Sequence, residues 1–577
     1  MPVPPTIVGF ASNNRVPGVY GETVYGAGAI SAASLPLVLL LVGTKLTSGT
    51  ATPNQDVVQI LSADDADLAF GAGCELARMC YAALKVPGVT IKGAPVAEAG
   101  GAVAATQVIT PTGTWSATGQ VTYRVNGESI SQVIGGTDTI SQFCTNLAAT
   151  FNQDSRRPYT ASASATQVTL TLKSKGARGS NYITFQDSSL VPSGFVSTIS
   201  GAVWTLTTAK TTSAPISFAV PTVSNGFYYK CTTGGTTGGT EPTWPTTIGT
   251  TVSDGSVVWT CWGKVLTGNA TTWGGGSGTE SVATLLAAIL SQPFDRICTA
   301  ENDATNLALW VTQLNTQAGP TSNILGHLVS AVNGTLAAAT TLTTVSLNSQ
   351  RVQLMWMLNG ETAPHEMAAY FTALRCANEQ SDPAAAYDDA LLVGVAPQSQ
   401  PQDRPTNAVL QSATNNGVTP VYTSANGAQA LVCISITSHS LNGSTPDYRT
   451  FNTSDAYVPD FVRRDIGLYW TTVYKPSNPR VNDDPAGDAK PAVAGVATPS
   501  TWNAEIEAKL RKYEKGILAS GADVTKPSVA PIIINVDSNK PTTVYDPIAK
   551  RLISVIPVVP APPNHQLGVS IRNVTSS

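Results

Sequence analysis

The amino-acid sequence predicts a multidomain protein of mixed α/β and α+β class, with a core domain, inserted β-rich outer domains and extended arms at both ends. Three observations lead to this prediction. The chain has 577 residues, enough for about three or four domains of ordinary size. Strand and helix patterns alternate over residues 280–400, whereas residues 104–208 show short alternating strands. Both ends combine proline with the composition of single strands.

The first segment, residues 1–25, is predicted to be an extended N-terminal arm. Its four prolines exclude a helix, while residues 6–10 and 19–25 have strand composition. Such a segment has little to bury by itself. We therefore expect it to need a partner sheet.

Residues 26–103 are predicted to be the first part of the core domain. A buried strand over residues 37–42 precedes a helix that begins at Ser62, where a carboxylate three residues on forms a capping-box pattern. The helix is expected to break at the glycines of residues 71–73. A second strand is expected over residues 89–95.

Residues 104–208 are predicted to be an inserted β-rich outer domain. Its clearest signal is the Asn126-Gly127 pair between two alternating strands over residues 121–134, which is typical of a hairpin. A helix is expected over residues 139–152.

Residues 209–265 are predicted to be a separate surface β-insertion rich in glycine, threonine and tryptophan. So small a module has few large apolar residues, and we expect Trp244, Trp259 and Trp262 to form its core. The alternative is a carbohydrate-binding platform, since aromatic faces stack on sugars.

The eight cysteines are scattered and include no Cys-x-x-Cys pair. We therefore expect reduced thiols that pack as small apolar side chains. Cys231 and Cys261 differ from the rest because they flank one compact block and could meet in a hairpin. A disulfide between them is a second hypothesis.

Residues 280–400 are predicted to be an α/β domain with a mainly parallel sheet. Helices over residues 303–317, 335–344 and 363–379 alternate with strands. The last of these strands is expected over residues 391–395.

Residues 401–556 are predicted to be the C-terminal part of the core domain. Apolar spacing predicts a helix over residues 460–473, and a charged amphipathic helix is expected over residues 501–516, ending at a glycine. Prolines then keep residues 557–577 extended, as a C-terminal arm.

Composition argues against nucleic acid and membrane partners. The formal net charge is −4 and charged residues are only 12% of the chain, which leaves no basic footprint for nucleic acid. The longest apolar run, residues 35–42, is far shorter than the ~20 residues that span a bilayer. With no N-terminal targeting signal, we expect a soluble chain that is made in the cytoplasm and does not insert into membranes.

Catalytic motifs are missing from the sequence. Only four histidines exist, and no nucleophile elbow or phosphate-binding loop occurs. His365-Glu366 begins like a zinc-protease helix, but Ala369 occupies the position of the second metal ligand. We therefore expect no enzyme activity, no cofactor and no metal.

Nine segments resemble, in the same order, the tail sheath proteins of Mu-like contractile phages. Their order is the specific part of the likeness, since none of them is diagnostic alone, and residues 209–265 depart from the pattern as an extra module. The segments are RVPGVY (15–20), PLVLLLVG (36–43), FGAGCELARM (70–79), TTVSLNSQR (343–351), DDALLVGVAP (388–397), GVTPV (417–421), ITSHSLNGSTPDYRTFNTSDAYVPDFVRRDI (436–466), NPRVNDD (478–484) and PNHQLGVSIRNV (563–574).

This resemblance implies a structural role. Sheath proteins form stacked hexameric rings around a tail tube and contract by rigid-body rearrangement, which drives the tube through the host envelope. The implied partners are further copies of the chain, the tail tube protein, and the baseplate and tail terminator proteins. The implied location is the virion tail, assembled in the host bacterial cytoplasm, and the core would be a core sheath domain.

The same resemblance implies that the two arms exchange strands between subunits. The candidates are the alternating apolar residues of the arms: Val8, Phe10, Val16, Val19, Tyr20 and Val24 in the first, and Leu567, Val569 and Ile571 in the second. Tube contact is usually electrostatic in such proteins. The candidates for it are the cations of the helix over residues 501–516: Lys509, Arg511, Lys512 and Lys515.

Three other classes of protein were weighed against the sheath. A β-rich receptor-binding or adhesin tail protein is motivated by residues 209–265 and would bind glycans. A glycosidase would need a carboxylate pair that the sequence does not single out. A tail tube protein is disfavoured because tube subunits are usually small single β-domains.

Overall fold

The computed structural model describes residues 37–199, 209–210, 217–219, 221, 225, 227–264, 270–319, 322–398, 403–442, 444–484, 494–517, 529–546 and 551–563. The predicted N-terminal arm and most of the predicted C-terminal arm lie outside these residues. The described chain forms two compact units. The larger unit comprises Pro36–Glu379 and Ala385–Ala456, and the smaller unit comprises Gln380–Ala384 and Tyr457–Pro562.

The larger unit begins with a strand that is buried on both faces. Residues 39–42 are fully buried, as expected for a parallel sheet that is covered on both sides. The strands predicted over residues 37–42 and 89–95 are confirmed. The first elements are β1 (Val38–Thr44), β2 (Val58–Ile60), α1 (Ala63–Phe70), α2 (Glu75–Ala83) and β3 (Thr90–Val96).

The turn between α1 and α2 depends on glycine. Ser62 and Asp65 form the predicted capping box at the start of α1, and Gly71 ends the helix with a φ of 91°. Gly73 has a φ of 78°, and a Cβ there would lie 2.2 Å from the carbonyl oxygen of Arg157. The predicted break is confirmed, and glycine is required because backbone from the inserted domain passes so close.

Fourteen described strands lie in the inserted domain, the module after it and the short segment that follows. They form separate small sheets within the larger unit. The elements are β4 (Thr106–Gly113), β5 (Gly119–Val125), β6 (Glu128–Ile134), α3 (Ile140–Phe151), β7 (Tyr159–Ala163), β8 (Val168–Leu172), β9 (Ile183–Leu190), β10 (Phe195–Ile199), β11 (Ala209–Lys210), β12 (Phe218–Ala219), β13 (Phe227–Thr233), β14 (Gly235–Thr236), β15 (Thr251–Asp254), β16 (Val257–Lys264) and β17 (Ala270–Thr272).

The inserted domain packs α3 with two four-stranded sheets, ordered β10-β4-β8-β7 and β17-β9-β5-β6. Its predicted hairpin is confirmed, because Asn126 and Gly127 have φ values of 53° and 77° and join β5 to β6. The predicted helix is also confirmed, with Thr139 and Asn152 as its caps. The core is aromatic and includes Tyr123, Phe143, Phe151, Tyr159, Tyr182, Phe195 and Trp273.

The module over residues 209–264 is built on a sheet ordered β12-β13-β16-β15. Trp259 is fully buried in its core, and Trp244 packs on Tyr229 with ring centroids 4.3 Å apart. The prediction for Trp262 was wrong. Side chains alternate along β16, so Trp262 points away from the face that carries Trp259 and donates a hydrogen bond to Asp403 Oδ1 at 2.7 Å.

The two cysteines of the module are free thiols in the structure. Both are buried in its core. The strand register places Cys231 opposite Trp259 and Cys261 opposite Tyr229, so the two cysteines are not cross-strand partners. The disulfide hypothesis is not supported, and the expectation of reduced, buried thiols describes both residues.

The rest of the larger unit alternates helices and strands. The elements are α4 (Ala283–Ala288), β18 (Arg296–Thr299), α5 (Ala304–Gln317), β19 (His327–Val332), α6 (Leu336–Thr341), β20 (Val352–Trp356), α7 (Pro364–Ser381), β21 (Ala390–Leu391), α8 (Asn407–Asn415), β22 (Val418–Thr423), β23 (Ala430–Val432), β24 (Leu441–Asn442) and β25 (Thr445–Pro446).

A nine-stranded sheet, counted over the described residues, organises this unit in the order β2-β3-β1-β18-β19-β20-β22-β23-β21. The pairs from β3 to β22 are parallel, and the outer strands β2, β23 and β21 are antiparallel. The expected mainly parallel sheet is confirmed. Residues 26–103, 280–400 and 401–556 all contribute strands to it. The winding reverses between β1 and β18, as in doubly wound α/β proteins.

Two boundaries of the α/β prediction were wrong. The strand expected over residues 391–395 is only the two-residue β21, because Gly394 turns the chain with a φ of 80°. The helix expected over residues 335–344 ends as α6 at Thr341 and continues as a π-helical stretch, Leu342–Leu347, which Asn348 closes with a φ of 33°.

Asn348 also joins two of the segments that resemble sheath proteins. Its side-chain oxygen accepts hydrogen bonds from the N–H groups of Ser440 and Leu441, both at 3.1 Å, and its amide donates to the Leu441 carbonyl at 2.8 Å. The Ser438 hydroxyl donates to the Ser349 carbonyl at 3.0 Å. The segments over residues 343–351 and 436–466 are therefore parts of one local structure.

The chain continues into the smaller unit through a long helix. The elements are α9 (Thr453–Tyr469), α10 (Lys475–Ser477), β26 (Arg480–Val481), β27 (Val496–Ala497), α11 (Pro499–Glu514), β28 (Thr542–Asp546) and β29 (Arg551–Val555). The helix predicted over residues 460–473 starts earlier than expected, at Thr453, and includes Pro459. In its first turn the Asp455 carboxylate accepts a hydrogen bond from the Asn452 N–H at 2.9 Å. Within the described residues, no helix has the length and apolar character that crossing a membrane requires.

We predict that Gly73→Ala destabilises the protein more than Gly88→Ala. Both glycines have positive φ, at 78° and 79°, so both substitutions strain the backbone by about 1–2 kcal/mol. Only Gly73 faces a close backbone atom, and overpacking should add about 1–3 kcal/mol. A Cβ on Gly88 would meet nothing within 4 Å, which makes it the matched control. Urea unfolding measures both, and equal losses would contradict the packing argument.

Candidate assembly surface

The smaller unit contains a two-stranded sheet with open edges. β28 and β29 pair antiparallel over five residue pairs, and no third strand joins them within the described residues. A two-stranded hairpin is marginally stable alone, and unpaired strand edges are templates for pairing with another chain. The hairpin is therefore suited to accept an added strand.

The outer face of this hairpin is apolar and exposed. Val544 and Val555 are 61% and 64% exposed, and Ile553, opposite Val544, is 43% exposed. The other face is seated on α11, where the Thr543 hydroxyl donates to Asn503 Oδ1 at 2.7 Å. Clustered exposed apolar side chains of this kind mark interaction surfaces.

An open groove of about 590 Å³ lies along residues 552–558, an extended segment that includes most of β29. Every second residue of that segment lines it, beginning with Leu552. Its opposite wall is a stripe of α9 residues at helical spacing, and Trp502 of α11 completes it. The lining residues are Pro459, Val462, Arg463, Ile466, Gly467, Trp470, Trp502, Leu552, Ser554, Ile556 and Val558.

The four predicted tube-contact cations have different environments on α11 and at its end. Lys509 is largely buried and forms a 2.6 Å ion pair with the buried Asp465, while its ammonium lies 4.7 Å from the Tyr469 ring centroid. Tyr513 contacts the same carboxylate. Lys509 therefore holds α11 in place within the unit, whatever its role towards a tube.

The other three candidates are at the surface. Arg511 pairs with Glu507 at 2.7 Å and with Asp537 at 2.5 Å. Lys512 and Lys515 are exposed, and neither forms an ion pair with a described residue. These two lysines are the cations that the smaller unit presents most openly on this helix.

The predicted strand-exchange residues fall outside the part of the chain that the structure describes. They are Val8, Phe10, Val16, Val19, Tyr20, Val24, Leu567, Val569 and Ile571. The sequence predicts donor strands but no acceptor. A signal for the acceptor was present, because both alternating sets over residues 552–556 are largely apolar. A strand with two apolar faces is expected to be covered on both.

A cleft of about 820 Å³ contains Asp388, Asp389 and Cys433, and burial raises the pKa of the Cys433 thiol. No histidine lines this cleft. No group of three metal-binding side chains forms among the described residues. Glu366, in the segment that resembles a zinc-protease helix, is held by two hydrogen bonds from Arg78, each 2.9 Å.

Comparisons with solved structures find sheath proteins among the similar chains, at low sequence identity. No protein-family model matches the chain, and no curated protein is significantly similar to it. A sheath tail protein from Listeria innocua is 11% identical with a TM-score of 0.43, covering 92% of this chain and 94% of that one. A sheath tail protein from Desulfitobacterium hafniense is 13% identical with a TM-score of 0.41, covering 94% and 100%.

A third similar structure is the helical sheath of the anti-feeding prophage in its contracted state. It is 12% identical with a TM-score of 0.43, covering 97% of this chain and 99% of that one. All three TM-scores lie below 0.5. The proposed function below therefore rests on the residues of this chain.

We predict that Lys509→Ala destabilises the smaller unit, whereas Lys515→Ala does not. Removing Lys509 breaks its ion pair with the buried Asp465 carboxylate, which should cost about 3 kcal/mol. The exposed Lys515 is the matched control, and its loss should stay within about 0.5 kcal/mol. Denaturant unfolding followed by tryptophan fluorescence measures both. If the two variants unfold alike, Lys509 is not a structural residue.

Proposed function

We propose that this chain is a structural subunit of a contractile phage tail sheath. In this proposal it polymerises as stacked hexameric rings around a tail tube and contracts by rigid-body rearrangement, which drives the tube through the host envelope. The observation that carries the proposal is the β28–β29 hairpin, with its open edges and exposed apolar face. The ordered resemblance of nine sequence segments to Mu-like sheath proteins supports it.

The hairpin and the arms have complementary properties. A strand acceptor needs unpaired backbone groups at a sheet edge, and a strand donor needs an extended, alternating and weakly charged segment. The hairpin has the first property, and the composition of residues 6–25 and 563–574 has the second. In the proposed polymer, arms of neighbouring copies add to the hairpin of each subunit, and main-chain hydrogen bonds link the subunits.

Contraction in this proposal needs no chemical fuel. The sequence contains no phosphate-binding loop, and the energy would be stored in a metastable assembly. Prolines at position 17 and between residues 557 and 563 are placed to act as hinges between arm and body. Each body would then rotate as a unit while its strands stay paired. The proposed partners are other copies, the tube, the baseplate and the tail terminator, in a virion tail assembled in the bacterial cytoplasm.

The receptor-binding alternative rests on residues 209–265 and gains no support from their described side chains. Trp259 is fully buried, and Trp244 packs against it and against Tyr229. Trp262 is engaged with Asp403 and lies under the Lys230 ammonium, 4.1 Å from its ring centroid. These aromatic rings pack within the unit, whereas a sugar platform needs open ring faces.

We predict that the arms and the outer face of the hairpin are required for polymerisation. Deleting residues 1–25 or 563–577 should abolish striated hollow cylinders in negative-stain microscopy, since the donor strands are lost. Replacing Val544, Ile553 and Val555 together by threonine should do the same while the monomer stays folded, because only the exposed face changes.

The matched control replaces two exposed leucines of the larger unit, Leu61 and Leu68, by threonine. They are 76% and 67% exposed, and this variant should still polymerise. Cylinders formed by the arm deletions would rule out strand exchange. An intact chain that never forms cylinders, alone or with its neighbouring tail proteins, would favour the receptor-binding alternative.

We predict that Lys512→Glu combined with Lys515→Glu weakens assembly on tail tubes without unfolding the subunit. The proposed tube contact is electrostatic, so reversing two exposed charges replaces attraction by repulsion. Sheath length and yield on purified tubes measure the effect. Lys475→Glu, at an exposed site outside α11, is the control. Unchanged length and yield in the double variant would remove these lysines from the contact.

A further inference from the structure

The carboxyl ends of β1 and β18 lie side by side where the winding of the nine-stranded sheet reverses. In open α/β sheets, the crevice outside this reversal is where ligands bind. Thr44 ends β1 and Thr299 ends β18. Both threonines are fully buried, so the sheet edge at the base of the crevice is covered.

Three carboxylates and one arginine occupy this crevice. Glu75 is the first residue of α2, Glu301 follows β18, and Glu280 precedes α4. Arg178 enters from the inserted domain, on the 3₁₀ turn Ala177–Asn181. The side chains of Glu280 and Glu301 have no exposed area, that of Glu75 is 6% exposed, and that of Arg178 is 13% exposed.

The arginine is held as a planar ligand would be. Its Nε and one Nη donate to the two oxygens of Glu75, both at 2.9 Å, which is the paired geometry that guanidinium and carboxylate prefer. The other Nη donates to Glu280 Oε2 at 2.8 Å. Glu301 Oε1 lies 3.6 Å from the guanidinium, close enough to act through its charge.

The carboxylates are positioned by the sheet and not by the arginine alone. Glu75 Oε2 accepts hydrogen bonds from the Thr44 N–H and hydroxyl, at 3.1 and 3.0 Å. Glu301 Oε2 accepts from the Thr299 hydroxyl at 2.6 Å. A buried oxygen of Glu280 and one of Glu301 have no hydrogen-bond partner among the described residues. The site therefore has acceptor capacity beyond what Arg178 uses.

Charge in the crevice is unbalanced. Three carboxylates face one guanidinium, and His365 Nδ1 lies 4.0 Å from Glu75 Oε1. Burial lowers the pKa of His365, so this ring adds no positive charge near neutral pH. The neighbouring Arg78 is committed to Glu366 and Glu128. The crevice therefore favours a cation.

We propose that the crevice is a guanidinium-binding site and that Arg178 is the ligand it holds. Arg178 thereby fixes the inserted domain to the sheet, at the position where open α/β sheets bind a small molecule. This inference does not rest on the proposed sheath function. The Arg178 contacts are separate from the surface contact of the same domain, in which Arg156 pairs with Asp64 and Asp67.

The test is chemical rescue of Arg178→Ala in the full chain. The variant should melt at least about 5 °C below the parent protein. Millimolar methylguanidinium should recover at least half of the lost melting temperature. Methylammonium has the positive charge of guanidinium but not its planar shape, and urea has the planar shape but no charge, so neither should restore stability. Arg156→Ala is the control, with a small loss and no rescue. A melting temperature for Arg178→Ala like that of Arg156→Ala, or equal rescue by methylammonium, would overturn the proposal.

A second pair of variants applies even if Arg178→Ala does not fold. Burial raises the pKa of Glu75, but the charge and hydrogen bonds of Arg178 outweigh this and lower it to about 2. Burial raises the pKa of Glu301 to about 7, against the opposing charge of Arg178. Glu75→Gln should therefore lower the melting temperature clearly at neutral pH. Glu301→Gln should lower it less, since Glu301 takes up a proton near this pH.

The pH dependence separates the two carboxyl groups. The contribution of Glu75 is present above its ordinary pKa of 4.5 and is lost as the pH falls towards 2. Folding raises the pKa of Glu301, so proton uptake by this carboxyl group increasingly stabilises the folded state as the pH falls from about 7 towards 4.5. The parent protein should gain stability over that interval and Glu301→Gln should gain less. Equal losses in Glu75→Gln and Glu301→Gln, with identical pH profiles, would overturn the proposal.

Discussion

The larger unit depends on how the chain neutralises carboxylates buried at the carboxyl edge of its main sheet. Glu75, Glu280 and Glu301 are taken out of water there, and a buried charge without a partner costs several kcal/mol. Arg178 supplies the compensating charge from a different domain. The Arg178 contacts therefore link the sheet to the position of the inserted domain.

The contacts between the inserted domain and the rest of the larger unit would also matter under mechanical load. A subunit that rearranges as a rigid body needs its domains to keep their mutual positions under load. The Arg178 contacts, the close approach at Gly73 and the hydrogen bond from Lys173 to the Ala72 carbonyl all lie at the contact between the inserted domain and the sheet. Trp262 and Asp403 join the adjacent module to the same unit. The larger unit has the contacts that such a body would need.

The Arg178 crevice of the larger unit and the β28–β29 hairpin of the smaller unit both carry a cost in free energy. The larger unit buries charge, and the smaller unit exposes apolar side chains on its hairpin. Both arrangements cost free energy in an isolated chain, since charges prefer water and apolar groups avoid it. In the larger unit the compensation is internal, through Arg178. In the smaller unit no described residue covers Val544 or Val555, and the proposed strand exchange would cover them.

The elements that the sequence predicted well are those whose signal is local. The capping box at Ser62, the hairpin at Asn126-Gly127 and the helix between Thr139 and Asn152 depend on residues a few positions apart. The wrong predictions concern segments where a neighbouring turn or the strand geometry prevailed over the local sequence pattern. The apolar run after Leu391 was interrupted by the turn at Gly394, and Trp262 followed the alternation of its strand to the opposite face.

The sequence by itself determined the order of elements, the buried parallel strands and the extended ends, because periodicity and backbone preference act over short distances along the chain. Only the tertiary structure decided which charges meet. Arg178 reaches Glu75 and Glu280 across 103 and 102 residues, and no spacing rule connects them. Likewise the exposed face of β28–β29 was decided by the packing of its other face on α11. Charge compensation and surface coverage are properties of the folded chain, since they depend on which distant segments the fold brings together.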